Sequence, residues 1–289
     1  MSIATAKAGA PSTATDSPGI SAVGVLRSEL IKFWTLRSTI WTLGLTVVLI
    51  AGLALLFAIG GAVSAGEGDP DAPGVTIEIV NAAALIGIGT FLAQVTVAVL
   101  GVLTITGEYS TGMIRSTLAA VPRRLPALWA KAAVLAASVS AVAIVSAGLA
   151  WLLTVGLYDR LGVTLDLTDS ETQRLLVGVP LYLAGVALLG LAFGALLRSS
   201  AGAIATVLGL ALLLETVIAS IPFRAFEIIS PFLPVTAGQR LLIEDAAIAE
   251  MNAVAAGAQL TPWQGYAVLL AWVAVLLGIA ATLLRRRDA

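Results

Sequence analysis

Residues 107–112 of this 289-residue chain read Gly107-Glu108-Tyr109-Ser110-Thr111-Gly112. That glycine spacing opens a phosphate-binding loop, in which backbone N–H groups cradle phosphate oxygens. The loop then needs a lysine for the phosphates and a hydroxyl for Mg²⁺, and Met113 and Ile114 stand in those places. The segment lacks the groups to hold a nucleotide, so any ATP and Mg²⁺ that drive this protein are expected in another chain. A docking role suits the same residues better. Ser110 or Thr111 can cap a short helix, Pro122 would stop it, and Arg115, Arg123 and Arg124 sit beside it. Such an element between two membrane spans can pass on the motion of a bound partner. It can equally be a basic loop that only fixes topology, and composition leaves both readings open.

The chain has neither cysteine nor histidine. That removes thiolate metal sites and nucleophiles, the usual general base and the commonest metal ligand. No catalytic, metal or cofactor-binding residue is nominated, and the chain is not read as an enzyme. Two polar groups inside apolar stretches remain. Glu215 sits in LLLETVI, about six residues or roughly 9 Å from the end of its span, and Gln94 sits in FLAQVTV. An intramembrane carboxylate faces a protein interior or a water-filled cavity. Glu215 is open to a functional role or to pairing with Arg224 or Arg174, whereas Gln94 reads more simply as an interhelical hydrogen bond.

The elements that position these residues follow from composition. Hydrophobic residues make up 59% of the chain and charged ones 11%, with a mean hydropathy of +1.01. A soluble domain averages about 45–50% apolar and about 25% charged residues, so this chain lacks a charged shell. The expected fold is an all-α integral membrane protein with six transmembrane helices, near 40–63, 80–105, 132–157, 175–197, 201–221 and 263–284. Glycines 185, 190 and 194 in the fourth span and 202 and 209 in the fifth are expected to let helices approach closely.

Residues 1–20 read as a disordered tail, without the apolar core of a signal peptide. In 21–38, Val23, Leu26, Leu30, Phe33 and Trp34 share one helical arc, with Ser28, Lys32 and Thr35 opposite. This predicts an amphipathic interfacial helix with Arg27, Lys32 and Arg37 near lipid phosphates. An N-terminal extension of the first span is the other reading. Residues 222–262 are too long for a structureless loop. PFRAFEIISPFLPV is expected to form a short re-entrant pair of turns, and the stretch from Thr236 to Ala258 a helix on the extracellular side. Cations fix the orientation: 12 of the 16 lie in the N-terminal segment, 106–131, 198–200 and the C-terminal tail. The positive-inside rule puts that side, and both termini, in the cytoplasm.

Three segments, VLRSELIKFWTLRSTIWTL, GVLTITGEYSTGMIRSTLAAVPRR and PFLPVTAGQRLL, resemble the ABC-2 type permeases of actinobacterial ABC transporters. The resemblance runs from about residue 20 onward. It implies a six-span exporter subunit of the plasma membrane, paired with a second permease copy (as a homodimer or with a paralogue) and driven by two copies of a separate ABC ATPase. Membrane lipid is a further expected partner and nucleic acid is not. It also implies an ATPase-coupling surface at Arg27, Glu29, Lys32, Glu108, Tyr109, Ser110, Thr111, Gly112, Met113, Ile114, Arg115, Arg123 and Arg124. A secondary transporter or channel with Glu215 as an ion site, and a non-transporting sensor or scaffold, are the alternatives.

Overall fold

Inside a bilayer no water is present to satisfy peptide groups, so a single chain crosses it by closing its hydrogen bonds within each helix. The computed structural model, which describes residues 21–66, 82–113, 125–161, 165–221, 223–254 and 257–286, is built this way. Its regular structure is entirely helical among the described residues. Six stretches are long and apolar enough to cross a membrane: Arg37–Val63, Ala82–Ser110, Leu125–Tyr158, Ser170–Leu197, Ser200–Ile218 and Pro262–Arg286. The tail 1–20, expected to be disordered, and the basic stretch 114–124 lie outside the described residues.

In chain order the elements are α1 (Ala22–Thr35), α2 (Arg37–Gly66), α3 (Ala82–Gly87), α4 (Thr90–Ser110), α5 (Leu125–Leu161), α6 (Ser170–Leu197), α7 (Ser200–Leu208), a π-helical stretch (Gly209–Leu214) and α8 (Glu215–Ser220). After these come α9 (Arg224–Ile229), α10 (Pro234–Gln239), α11 (Asp245–Val254) and α12 (Pro262–Arg286). The spans alternate in direction, so residues 37, 110, 125, 197, 200 and 286 fall at one end of the bundle, here the basic end. Two helix ends lie well outside the apolar runs: the second span continues to Ser110 and the third begins at Leu125. Helical hydrogen bonding does not stop where hydropathy falls, and these extensions carry Glu108 and Lys131 toward each other.

The core is the crossing of α4 and α6, with Val97, Val102, Leu183 and Leu191 among its buried side chains. Gly101 and Gly190 make the close approach possible: a Cβ on Gly101 would lie 2.0 Å from the Ala187 carbonyl oxygen, and one on Gly190 would lie 2.2 Å from that of Ala98. Gly185 and Gly194 also face neighbouring elements. The expectation for the fifth span is corrected, because Gly209 has no other element within 4 Å and Gly202 meets only Ser199. The fifth span is the least enclosed of the six, so its glycines have no described helix to pack on.

The segment between the last two spans departs from expectation. The helix expected from Thr236 onward is two helices, α10 and α11, parted by a 3₁₀ turn at Arg240–Leu242. Arg174, buried near the start of α6, holds that break open. Its Nη1 donates to the carbonyls of Leu241 (3.0 Å) and Ile243 (2.9 Å), and its Nη2 to Asp245 Oδ1 (3.0 Å). Carbonyls taken by a guanidinium are lost to an α-helical ladder.

Candidate functional site

At the basic end, residues far apart in sequence form one charge cluster. α1 turns its Val25, Glu29 and Phe33 edge into the protein, residues four apart and so on one helix face. Val23, Leu26, Leu30 and Trp34 stay exposed on the other side. Phe33 was expected with the exposed arc, but packs inward. Glu29, 3% exposed, meets Lys131 at the start of the third span, which also reaches Glu108 at the end of the second. Lys131 Nζ donates to Glu29 Oε2 at 2.6 Å and to Glu108 Oε1 at 2.9 Å. Lys32 Nζ donates to Glu29 Oε1 at 2.7 Å and stands 3.4 Å from Glu108 Oε1. The four side chains form a closed ring of alternating sign that ties α1, α4 and α5 together.

Lys32 is therefore engaged with carboxylates, which corrects its expected place among lipid phosphates. Burial of Glu29 alone would raise its pKa, but Lys131 and Lys32 outweigh it and hold the carboxyl below the ordinary value of 4.5. Burial likewise opposes the charge on Lys32, and the two carboxylates hold its pKa above the ordinary value. Buried charge is tolerated only when paired and hydrogen-bonded; both acids of the ring are paired with lysines, although both lysines reach Glu108 through Oε1 and its Oε2 is left buried without a hydrogen-bond partner.

Beside the ring the chain comes to the surface. Ser110 and Thr111 close the end of α4, and the short helix expected beyond them falls on residues 114–124, outside the described residues. Both hydroxyls donate to the Gly107 carbonyl, at 3.1 and 2.8 Å, and thereby close the C-terminus of α4. Gly112 then takes φ +73°, a left-handed turn for which glycine is suited. Ser110, Thr111, Gly112 and Met113 are exposed, as is Arg27 on α1. Tyr109 is half-buried under Arg198, whose guanidinium carbon lies 5.2 Å from the ring centroid. Ser200 donates to Thr106 at 2.8 Å, which ties the start of the fifth span to the end of the second. A cavity of about 360 Å³ opens between α1, α2, α4 and α5, with Phe33, Thr39, Leu103, Glu108 and Lys131 on its walls. Ile114, Arg115, Arg123 and Arg124 lie outside the described residues.

The intramembrane candidates are elsewhere. Glu215 is buried away from any lipid-facing surface, 2% exposed. Neither Arg224 nor Arg174 pairs with it, and no ion pair reaches it among the described residues. Its carboxylate accepts from the backbone N–H of Val235 (3.0 Å) and Thr236 (2.5 Å) and from the Thr236 hydroxyl (2.7 Å). These are first-turn N–H groups of α10, orphan donors that an anion satisfies well. Gln94 accepts from the Tyr182 hydroxyl and, at 3.5 Å, from Gln239.

In the sequence Lys131 and Arg198 read only as cations that fix topology, and Arg174 as a partner for Glu215 instead of for the 241–245 segment. Lys131 lies just outside the expected third span of 132–157 and is drawn inside it only because the helix begins at Leu125. No group of three or more acidic side chains gathers around a common point among the described residues. Among the described residues the arrangement at the basic end joins three helices and presents an exposed edge beside the joint. No protein-family model matches the chain, and no curated protein matches it.

Proposed function

We propose that the chain is the permease subunit of an ABC exporter, driven by a separate ATPase that docks at the basic end. One observation supports this reading above the others. Parts of two of the three segments that carry the resemblance to ABC-2 permeases, α1 and residues 107–113, are brought side by side by the Glu29–Lys131–Glu108–Lys32 ring. A push on either segment is delivered to spans two and three together, through charges that hold their geometry because they are buried.

On this reading the basic end is cytoplasmic, with both termini inside and the segment 222–262 outside. The exposed apolar side of α1 rests in the inner interface of the plasma membrane. Two ATPase chains bind ATP and Mg²⁺, and their closure moves α1 and the end of α4. Two permease copies, identical or paralogous, enclose the route between them. Glu215, already occupied by backbone N–H groups, anchors the re-entrant segment and is not assigned an ion.

The absence of cysteine makes a direct test simple. Ser110→Cys and Met113→Cys provide single thiols on the exposed edge. In membranes that also contain the candidate ATPase, a short bifunctional maleimide should link these positions to it, and the ATPase should copurify with the tagged permease. ATP-independent export by the purified permease alone, with no ATPase crosslink from either position, would overturn the proposal.

A further inference from the structure

The cavity at the basic end runs past the charge ring into the bundle. It follows α4 from Leu100 to Thr111, about 16 Å at the helical rise. Its volume of about 360 Å³, spread over that depth, averages about 22 Å² in section. That is a slot one alkyl chain wide, and its volume falls at the small end of the roughly 300–1,000 Å³ that ligand pockets occupy. Because α4 crosses the membrane, the slot runs with the bilayer normal, as acyl chains do.

The walls change character together with depth. Near the basic end they carry Ser38, Glu108, Ser110 and Lys131; farther in they carry Thr42, Leu100, Leu103 and Val134. The deeper hydroxyls are occupied. Thr42 donates to the Ser38 carbonyl at 2.8 Å and Thr104 to the Leu100 carbonyl at 2.7 Å, so neither offers its proton to a guest. The mouth has an exposed apolar rim, with Leu36 53% and Met113 44% exposed. Exposed charge at the mouth is of one sign. Glu29 and Glu108 are buried and held by lysines. Arg37 stands between the lining residues Leu36 and Ser38, is exposed, and makes no ion pair among the described residues.

We propose that the slot holds one acyl chain of an anionic phospholipid from the leaflet at the basic end, with its phosphate beside Arg37. An alkyl chain suits the deep apolar walls, and a phosphate suits an exposed guanidinium that the acids of the ring, already paired, do not serve. A peptide would instead carry backbone N–H and C=O groups into a depth where nothing receives them. Glu29, Lys32 and Phe33 of α1 all line the slot, so a tail that binds only the docked arrangement also stabilises it. The inference requires neither ATPase nor transport.

The test uses the full chain in phosphatidylcholine nanodiscs doped with phosphatidylglycerol that carries a diazirine on one tail. Labelling should concentrate in the peptides that contain residues 33–42 and 100–104, and excess plain phosphatidylglycerol should compete it away. At equal mole fraction it should exceed labelling by phosphatidylcholine with the same tail by about fivefold, the attraction of one arginine for an anionic headgroup. Arg37 is exposed, so Arg37→Gln leaves the fold intact, and it should erase that excess. Leu103→Trp fills the slot from its wall and should reduce labelling there by both lipids at least tenfold, with the background along the sixth span unchanged. Labelling spread evenly over all spans, or absent from the slot because protein closes it, overturns the proposal. So does labelling retained in Leu103→Trp, an equal yield from the two lipids, or an excess that survives Arg37→Gln.

Discussion

Lys131→Met probes the joint at the basic end most directly. Lys131 serves both buried carboxylates, at 2.6 and 2.9 Å, and its side chain is 7% exposed. Removing one partner from a buried ion pair costs about 3–5 kcal/mol, because the charge left behind has no compensation. Lys32 remains, bound to both acids but more exposed, so the lower figure applies. At about 1.4 kcal/mol per tenfold, the population with α1 undocked should rise about a hundredfold. Val25→Cys reports it: Val25 is 5% exposed against Ala130 in the docked state, and its thiol reacts with maleimide only on local opening. In the Lys131→Met background the labelling rate should rise about a hundredfold, as the population argument requires. Adding Glu108→Gln leaves the Glu29–Lys32 pair balanced and should return the rate to within about tenfold of the parent, since the orphaned charge is gone. An unchanged rate in the single variant, or no recovery in the double, would refute the view that charge compensation docks α1.

Four further outcomes can be checked. Glu29 has a lowered pKa, so its contribution is complete above 4.5 and fades as pH falls through the lower folded value. Lys32 has a raised one, so its contribution is complete below 10.5 and fades only above that. Val25→Cys labelling, normalised to Ser110→Cys, should therefore stay flat from about pH 6 to 9, and a transition inside that window would contradict the assignment. Gly190→Ala should destabilise the bundle by about 3 kcal/mol in thermal unfolding, the upper part of the usual overpacking range, since its new Cβ meets backbone, whereas Gly209→Ala should change stability by no more than about 1 kcal/mol. Glu215→Leu should lose about 1–3 kcal/mol for each α10 N–H left unpartnered, Glu215→Gln less, and Arg224→Ala should rescue neither when stability is measured in the double variants. Asp166→Cys should react with an impermeant maleimide added outside intact cells; reaction only after permeabilisation would reverse the topology.

The spans were legible because hydropathy over about 20 residues is a one-dimensional property. The apolar arc of α1 was legible only in part: Val23, Leu26, Leu30 and Trp34 are exposed, but Phe33, placed with them by helical periodicity, packs inward. The ring was half legible. Glu29, Lys32 and Glu108 were nominated through the resemblance, but Lys131 counted only as a cation that fixes topology. Its partners are 102 and 23 residues away, and no local pattern encodes such contacts. Glu215 shows the same limit from the other direction. Proximity in sequence suggested Arg224, yet the carboxylate is satisfied by backbone at the start of α10. The Leu-Pro-Val-Thr stretch could have revealed that start, because proline favours the first helical turn. The break at 240–244 was hidden because a distant guanidinium creates it.

The π-helical stretch in the fifth span has a consequence of its own. A π turn holds one residue more than an α turn, so Gly209–Leu214 contains a surplus position by which Glu215 is aimed. Relaxing that stretch to α geometry with its residue count kept would rotate everything beyond by about 100°, and the carboxylate would swing away from the first turn of α10. Deleting one residue together with that relaxation would leave the angle nearly unchanged, because the surplus residue is the one removed. The span thus behaves like a threaded screw whose final angle is set by a single added increment. A one-residue deletion within 209–214 should therefore be better tolerated than one within α7, where there is no surplus to absorb it.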